Sequence, residues 1–90
     1  MRVKKIDFSG EFEKQLKKSP LKIRVAFRNR LEIYINDKFN PILNNHALVD
    51  KFRGYRSINV TGDWRAIFRE FGEGGTVYFD LIGTHSQLYR

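Results

Sequence analysis

The chain has 90 residues, no cysteine and a formal net charge of +7, with 41% hydrophobic residues. That length suits a single domain, residues 1–90, with a modest core, and the lack of cysteine excludes any disulfide or thiolate–zinc staple and is compatible with a reducing cytoplasm. No early apolar run is long enough for a signal peptide, and none approaches the ~20 residues that span a bilayer, so the expectation is a cytoplasmic protein without a membrane partner.

In chain order, "RVKKIDF" alternates Val3, Ile6 and Phe8 imperfectly and predicts a short strand. Ser9 can cap the next segment, and Glu11 and Glu13 follow in a first turn that favours negative charge. Phe12 and Leu16, one turn apart, define the buried stripe of a short helix. "KKSP" predicts a stop and a restart, with Ser19 as N-cap and Pro20 at the first position of a second helix. That helix runs to about Asp37, burying Phe27, Leu31, Tyr34 and Ile35 and exposing Arg24, Arg28 and Glu32. Residues 38–54, with Pro41, three Asn and Gly54, read as an irregular connection. "YRSINV", "WRAIFREF" and "TVYFDLIG" predict three strands joined by a tight "TGD" turn and a "GEGG" hairpin loop, and "HSQLYR" a terminal helical turn. The expected class is α+β in the order β-α-α-β-β-β, a helical hairpin on a small, mostly antiparallel sheet.

The charge is uneven. Residues 1–30 hold ten basic and three acidic side chains, while residues 31–90 hold seven of each. A basic patch confined to the first third attracts polyanions and speeds association. It is also what a well-solvated surface looks like. Nucleic acid or an acidic protein are the functional readings. A membrane surface fits worse, because no basic segment has a clean apolar face.

His46 and His85 are the two histidines, and Asp63 is one of few acids in the C-terminal half. Histidine titrates near neutrality, so a pair can serve as base and acid in one reaction. His46 falls in the irregular connection and His85 at a strand end, where sites are commonly built. Each could equally hydrogen-bond a turn, and two His with one Asp could bind a metal, although no short ligand motif is present. Trp64, Phe68, Tyr78 and Phe79 read as core. Tyr89, at the chain end, either plugs the core or stacks on a base. Arg56 and Arg65 flank the "TGD" turn on neighbouring strands, and Arg69 shares the phase of Arg65. They could clamp a phosphate or decorate an exposed sheet face.

The residues "NNHAL … GYRSINVTGDWRAIF … IGTHSQLY" resemble the YafQ-like branch of the RelE/ParE toxin superfamily. The resemblance runs the whole chain and is most specific in the C-terminal half. It implies the toxin of a type II toxin–antitoxin pair: a ribosome-dependent mRNA endonuclease that needs no metal or other cofactor. Its implied partners are the ribosome, mRNA and a cognate antitoxin, through which the complex can bind operator DNA. By the same resemblance, His46 matches a catalytic histidine, Asp63 and Trp64 a catalytic acid and its neighbour, His85 the general acid, and Tyr89 a terminal aromatic position. Arg56, and Arg65 beside it, would stabilise charge on the phosphate, and Lys17, Lys18, Arg24 and Arg28 would dock on ribosomal RNA. Asn59 stands where relatives carry a further histidine. It can orient RNA or water but cannot shuttle a proton at neutral pH. The alternatives are a ParE-like toxin that poisons gyrase by binding, or a catalytically weak module that binds its antitoxin.

Overall fold

The computed structural model describes residues 2–89. Ser9 begins the first helix as its sequence suggests. Its Oγ accepts from the Phe12 N–H at 2.9 Å and donates to the Asp80 carbonyl at 2.7 Å, so the cap also ties the helix to a distant strand. The elements are β1 (Lys5–Phe8), α1 (Gly10–Lys18), α2 (Leu21–Asn36), β2 (His46–Ala47), β3 (Arg56–Asn59), β4 (Trp64–Phe71), β5 (Thr76–Thr84) and α3 (His85–Leu88). Short 3-10 turns at Pro41–Leu43 and Asp50–Phe52 flank β2. The fold is α+β, with a five-stranded sheet in the order β1-β5-β4-β3-β2. β1 runs parallel to β5 and every other pair is antiparallel.

Several sequence expectations need correction. The connection at 38–54 is not wholly irregular: His46 pairs with Ser57 and Ala47 with Arg56, so β2 extends the sheet. Ser19 does not cap α2. It ends α1, with its Oγ donating to the Leu16 carbonyl at 2.6 Å, and Pro20 is the N-cap of α2, without a side-chain bond to the helix. Proline lacks an N–H and fixes φ, so it can hold the entry to a helix without one. On α2, Ile23, Phe27 and Tyr34 form the buried stripe while Ile35 is exposed.

α1 and α2 cover one face of the sheet. Between them and the strands lies an aromatic core in which Phe27 sits 5.1 Å from Phe12 and 5.3 Å from Phe79, and Phe68 sits 5.2 Å from Phe79 (ring centroids). Edge-on and tilted pairs of this kind contribute ~0.5–1.5 kcal/mol each beyond their burial. Ile58, Val60, Ala66, Val77 and Ile82 complete this core. Tyr34 closes its far end, donating its hydroxyl to Glu70, which also meets Lys38 Nζ at 3.4 Å. Tyr78 is not core. It pairs with Arg69 on the opposite face, where the Arg69 guanidinium lies 5.3 Å from its ring and 3.0 Å from Asp80. Among the described residues, no helix is long and apolar enough to cross a membrane.

Candidate active site

Strand register decides which side chains share a face. His46 opposes Ser57, and Asn59 opposes Arg65, which opposes Gly83. Ile58 and Ala66, one residue out of step with these, belong to the helix-side core. His46, Ser57, Asn59 and Arg65 therefore lie on the face away from the helices.

The turn at 60–63 and the start of α3 meet at one end of this face. The His85 N–H donates to the Asp63 carbonyl at 2.9 Å. Thr84 starts α3 through a reciprocal capping box: Gln87 N–H to Thr84 Oγ1 at 3.2 Å, and Thr84 N–H to Gln87 Oε1 at 2.8 Å. His85 and Asp63 are exposed. The His85 ring lies 4.7 Å from the Tyr89 ring, and Tyr89 packs edge-on against Phe52 at 5.8 Å. Half-buried, Tyr89 neither fills the main core nor hangs free. One side is anchored by Phe52, and its neighbour is the candidate acid.

Arg65 is spoken for within its own turn. Its Nη1 donates to the carbonyls of Thr61, Gly62 and Trp64, each at 3.1 Å. That is structural work: it rigidifies the turn that carries Asp63. Trp64 faces the helices instead, lining a cleft of about 350 Å³ with Lys18, Pro20 and Leu88, and so anchors the turn from behind.

His46 sits on the exposed edge strand, its Nδ1 2.7 Å from the Asn44 carbonyl. A carbonyl can only accept, so Nδ1 carries a proton, and the tautomer this selects has its lone pair on Nε2. His46, Ser57, Ile67 and Leu81 form one row across the sheet, so His46 lies about 14 Å across the sheet from β5, and His85, four residues beyond Leu81, lies about 13 Å further along the strand direction. The two histidines thus face a shared surface from opposite sides. Asn59 lies between them, its Oδ1 buried without a protein hydrogen-bond partner.

Other expected site residues lie elsewhere. Arg56 pairs with Phe68 and points to the helix side, where its Nε donates to Asn45 Oδ1 at 2.9 Å and its guanidinium lies 5.8 Å from the Phe39 ring. The register of the edge hairpin turns it away from His46, which corrects the expected phosphate contact. Lys17 and Lys18 end α1, where positive charge also suits the helix dipole. With Arg24 and Arg28 on α2 they are exposed on the helical layer, on the opposite side of the sheet from His46. Among the described residues no three His, Asp or Glu side chains are grouped to hold a metal ion. The sequence reading missed Phe52 and the Thr84–Gln87 box. The second was legible, since Thr-x-x-Gln is a capping-box spacing.

This architecture, with two helices on one face of the sheet and the β3-β4-β5 meander ending in a short helix, is shared with solved structures of bacterial toxins. YafQ from Escherichia coli strain BL21(DE3) has it over the full length of both chains, with a TM-score of 0.81 at 23% identity. YafQ in the Escherichia coli DinJ–YafQ toxin–antitoxin complex matches with a TM-score of 0.78 at 23% identity, over 97% of this chain and 98% of that one. A YoeB/ParE toxin from Agrobacterium tumefaciens matches at 0.75 and 14% identity, over 90% of this chain and 98% of that one. No protein-family model and no curated protein matches the sequence.

Proposed function

We propose that this protein is the toxin of a type II toxin–antitoxin pair and acts as a metal-independent endoribonuclease on mRNA bound in the ribosome. The observation that carries the reading is the grouping of Asp63, His85 and Tyr89 around one backbone hydrogen bond, in a chain whose fold matches YafQ from end to end. The DinJ–YafQ complex supports a protein antitoxin as partner.

In this reaction the 2′-hydroxyl attacks the adjacent phosphorus and the 5′-oxygen leaves. His46 Nε2 accepts the hydroxyl proton, or Asp63 orients that hydroxyl. His85 protonates the leaving oxygen. Tyr89, braced by Phe52, stacks on a base and holds the strand at the acid. His46, Asp63 and His85 are exposed to solvent, so alignment of a nucleotide depends on a partner surface. The ribosome supplies that alignment, and orientation of this kind can contribute several kcal/mol. Lys17, Lys18, Arg24 and Arg28 dock on ribosomal RNA from the helical layer, and location in the cytoplasm follows from that target.

The test is to incubate the protein with translating ribosomes and map new mRNA 5′ ends, with and without EDTA at free magnesium sufficient to keep ribosomes intact. Cleavage within the decoding site that survives the chelator is expected, with little cleavage of naked mRNA. Damage to DNA by gyrase without mRNA cleavage would replace this reading with a gyrase poison. Loss of cleavage that zinc or manganese restores would overturn the metal-free chemistry.

A further inference from the structure

Arg56 and Asn45 form a link that reaches His46 from the other side of the sheet. Asn45 is held at both ends of its amide: Oδ1 accepts from Arg56 Nε at 2.9 Å, and Nδ2 donates to the Lys38 carbonyl at 2.9 Å. The Arg56 guanidinium is steadied over Phe39. On one side of Asn45 is Asn44, in the left-handed region at φ 47°. Asparagine visits that region more readily than most residues. On the other side is His46, whose Nδ1–H donates to the Asn44 carbonyl. The direction of that carbonyl depends on the left-handed turn, and the turn is pinned by Asn45.

We infer that Arg56 and Asn45 are positioning residues that set the orientation and tautomer of His46. Without the Asn44 carbonyl in place, an exposed imidazole is free to move its proton to Nε2 and to rotate. The basic lone pair would then no longer face the surface shared with His85. The inference deepens the proposed function, because only a working His46 gives the tautomer a catalytic consequence. The tautomer itself does not depend on that reading.

Two measurements separate the two. In the free 15N-labelled protein at pH 8, above the ordinary histidine range, long-range proton–nitrogen correlations report which ring nitrogen of His46 is protonated, with His85 as internal control. Wild type should show Nδ1–H. Asn45→Ala and Arg56→Ala should shift His46 toward Nε2–H and leave His85 unmoved, while Arg56→Lys, which keeps a donor near Asn45, should restore much of the native state. Should Arg56→Ala fail to fold, Asn45→Ala breaks the same link. On ribosomes, kcat should fall with the competent tautomer fraction, about five- to tenfold, with KM unchanged and partial rescue by Lys. A wild-type Nε2–H tautomer, or an unchanged one in a folded Asn45→Ala protein, overturns the inference. A tautomer shift in a protein that cleaves no RNA at all overturns the nuclease reading and leaves the positioning link standing.

Discussion

The backbone N–H of His85 donates to the backbone carbonyl of Asp63 at 2.9 Å, so the candidate acid and the candidate carboxylate are joined through the main chain, leaving both side chains exposed. Chemistry and folding can therefore be separated by mutation. His85→Ala keeps the backbone bond and loses only the ring contact with Tyr89, so stability should change by no more than about 1 kcal/mol. Loss of a general acid costs ~10²- to 10⁴-fold in rate. Melting temperature, antitoxin binding and single-turnover cleavage on ribosomes should be measured on one preparation. Cleavage should fall at least about a hundredfold while the other two hold. A folded variant that still cleaves rules His85 out as the acid.

The basic side chains of the helical layer should govern docking, not chemistry. Replacing Lys17, Lys18, Arg24 and Arg28 with Gln should weaken ribosome binding and flatten its salt dependence, since each phosphate contact adds to the slope. Cleavage of pre-bound mRNA should be nearly unchanged, because all four are exposed on the helical layer and not on the sheet face that carries His46. Unaltered affinity across a salt titration would mean that the patch serves another partner, such as the antitoxin.

Tyr34 makes stability sensitive to alkali. Burial, then its hydrogen bond and proximity to Glu70, push its hydroxyl far above the ordinary range, with Arg56 opposing. A folded-state pKa above the unfolded one makes a contribution that is complete below about pH 10, the unfolded value, and is lost as pH rises beyond it. Chemical denaturation between pH 8 and 11.5 should show stability dropping over the last unit or so. Tyr34→Phe should be less stable by ~1–2 kcal/mol at pH 8, because Glu70 loses its donor, and should lose part of the alkaline slope. A slope identical to wild type would assign the alkaline loss to other groups.

Ser57 is fully buried and its Oγ has no hydrogen-bond partner in the protein. An unpaired buried hydroxyl costs about 1–3 kcal/mol. Ser57→Ala keeps the shape apart from that oxygen, so urea denaturation should find the variant as stable as wild type or up to ~2 kcal/mol more so. A loss of more than about 1 kcal/mol would reveal an internal water bonded to the hydroxyl.

Much was legible in the sequence because it depends on near neighbours. The Ser9 cap, the alternation of "WRAIFREF" and "TVYFDLIG" and the turn residues between them act within a few positions, and they determined most elements and their order. The pattern of His46, Asp63, His85 and Tyr89 carried the candidate site by residue type alone. Three things waited for tertiary structure. β2 spans two residues, too short for any periodicity, and exists because the edge of β3 offers hydrogen bonds to it. Residue type alone leaves Arg65 open to a phosphate or to a plain sheet face, and only the folded turn brings three carbonyls within its reach. The same holds for Arg56, which side-chain parity across the β2–β3–β4 register turns to the helix side. A strand's two faces differ only in what lies above and below them. The chain can therefore specify which residues alternate, while packing against α1 and α2 decides which set faces inward and which side chains remain to meet a substrate.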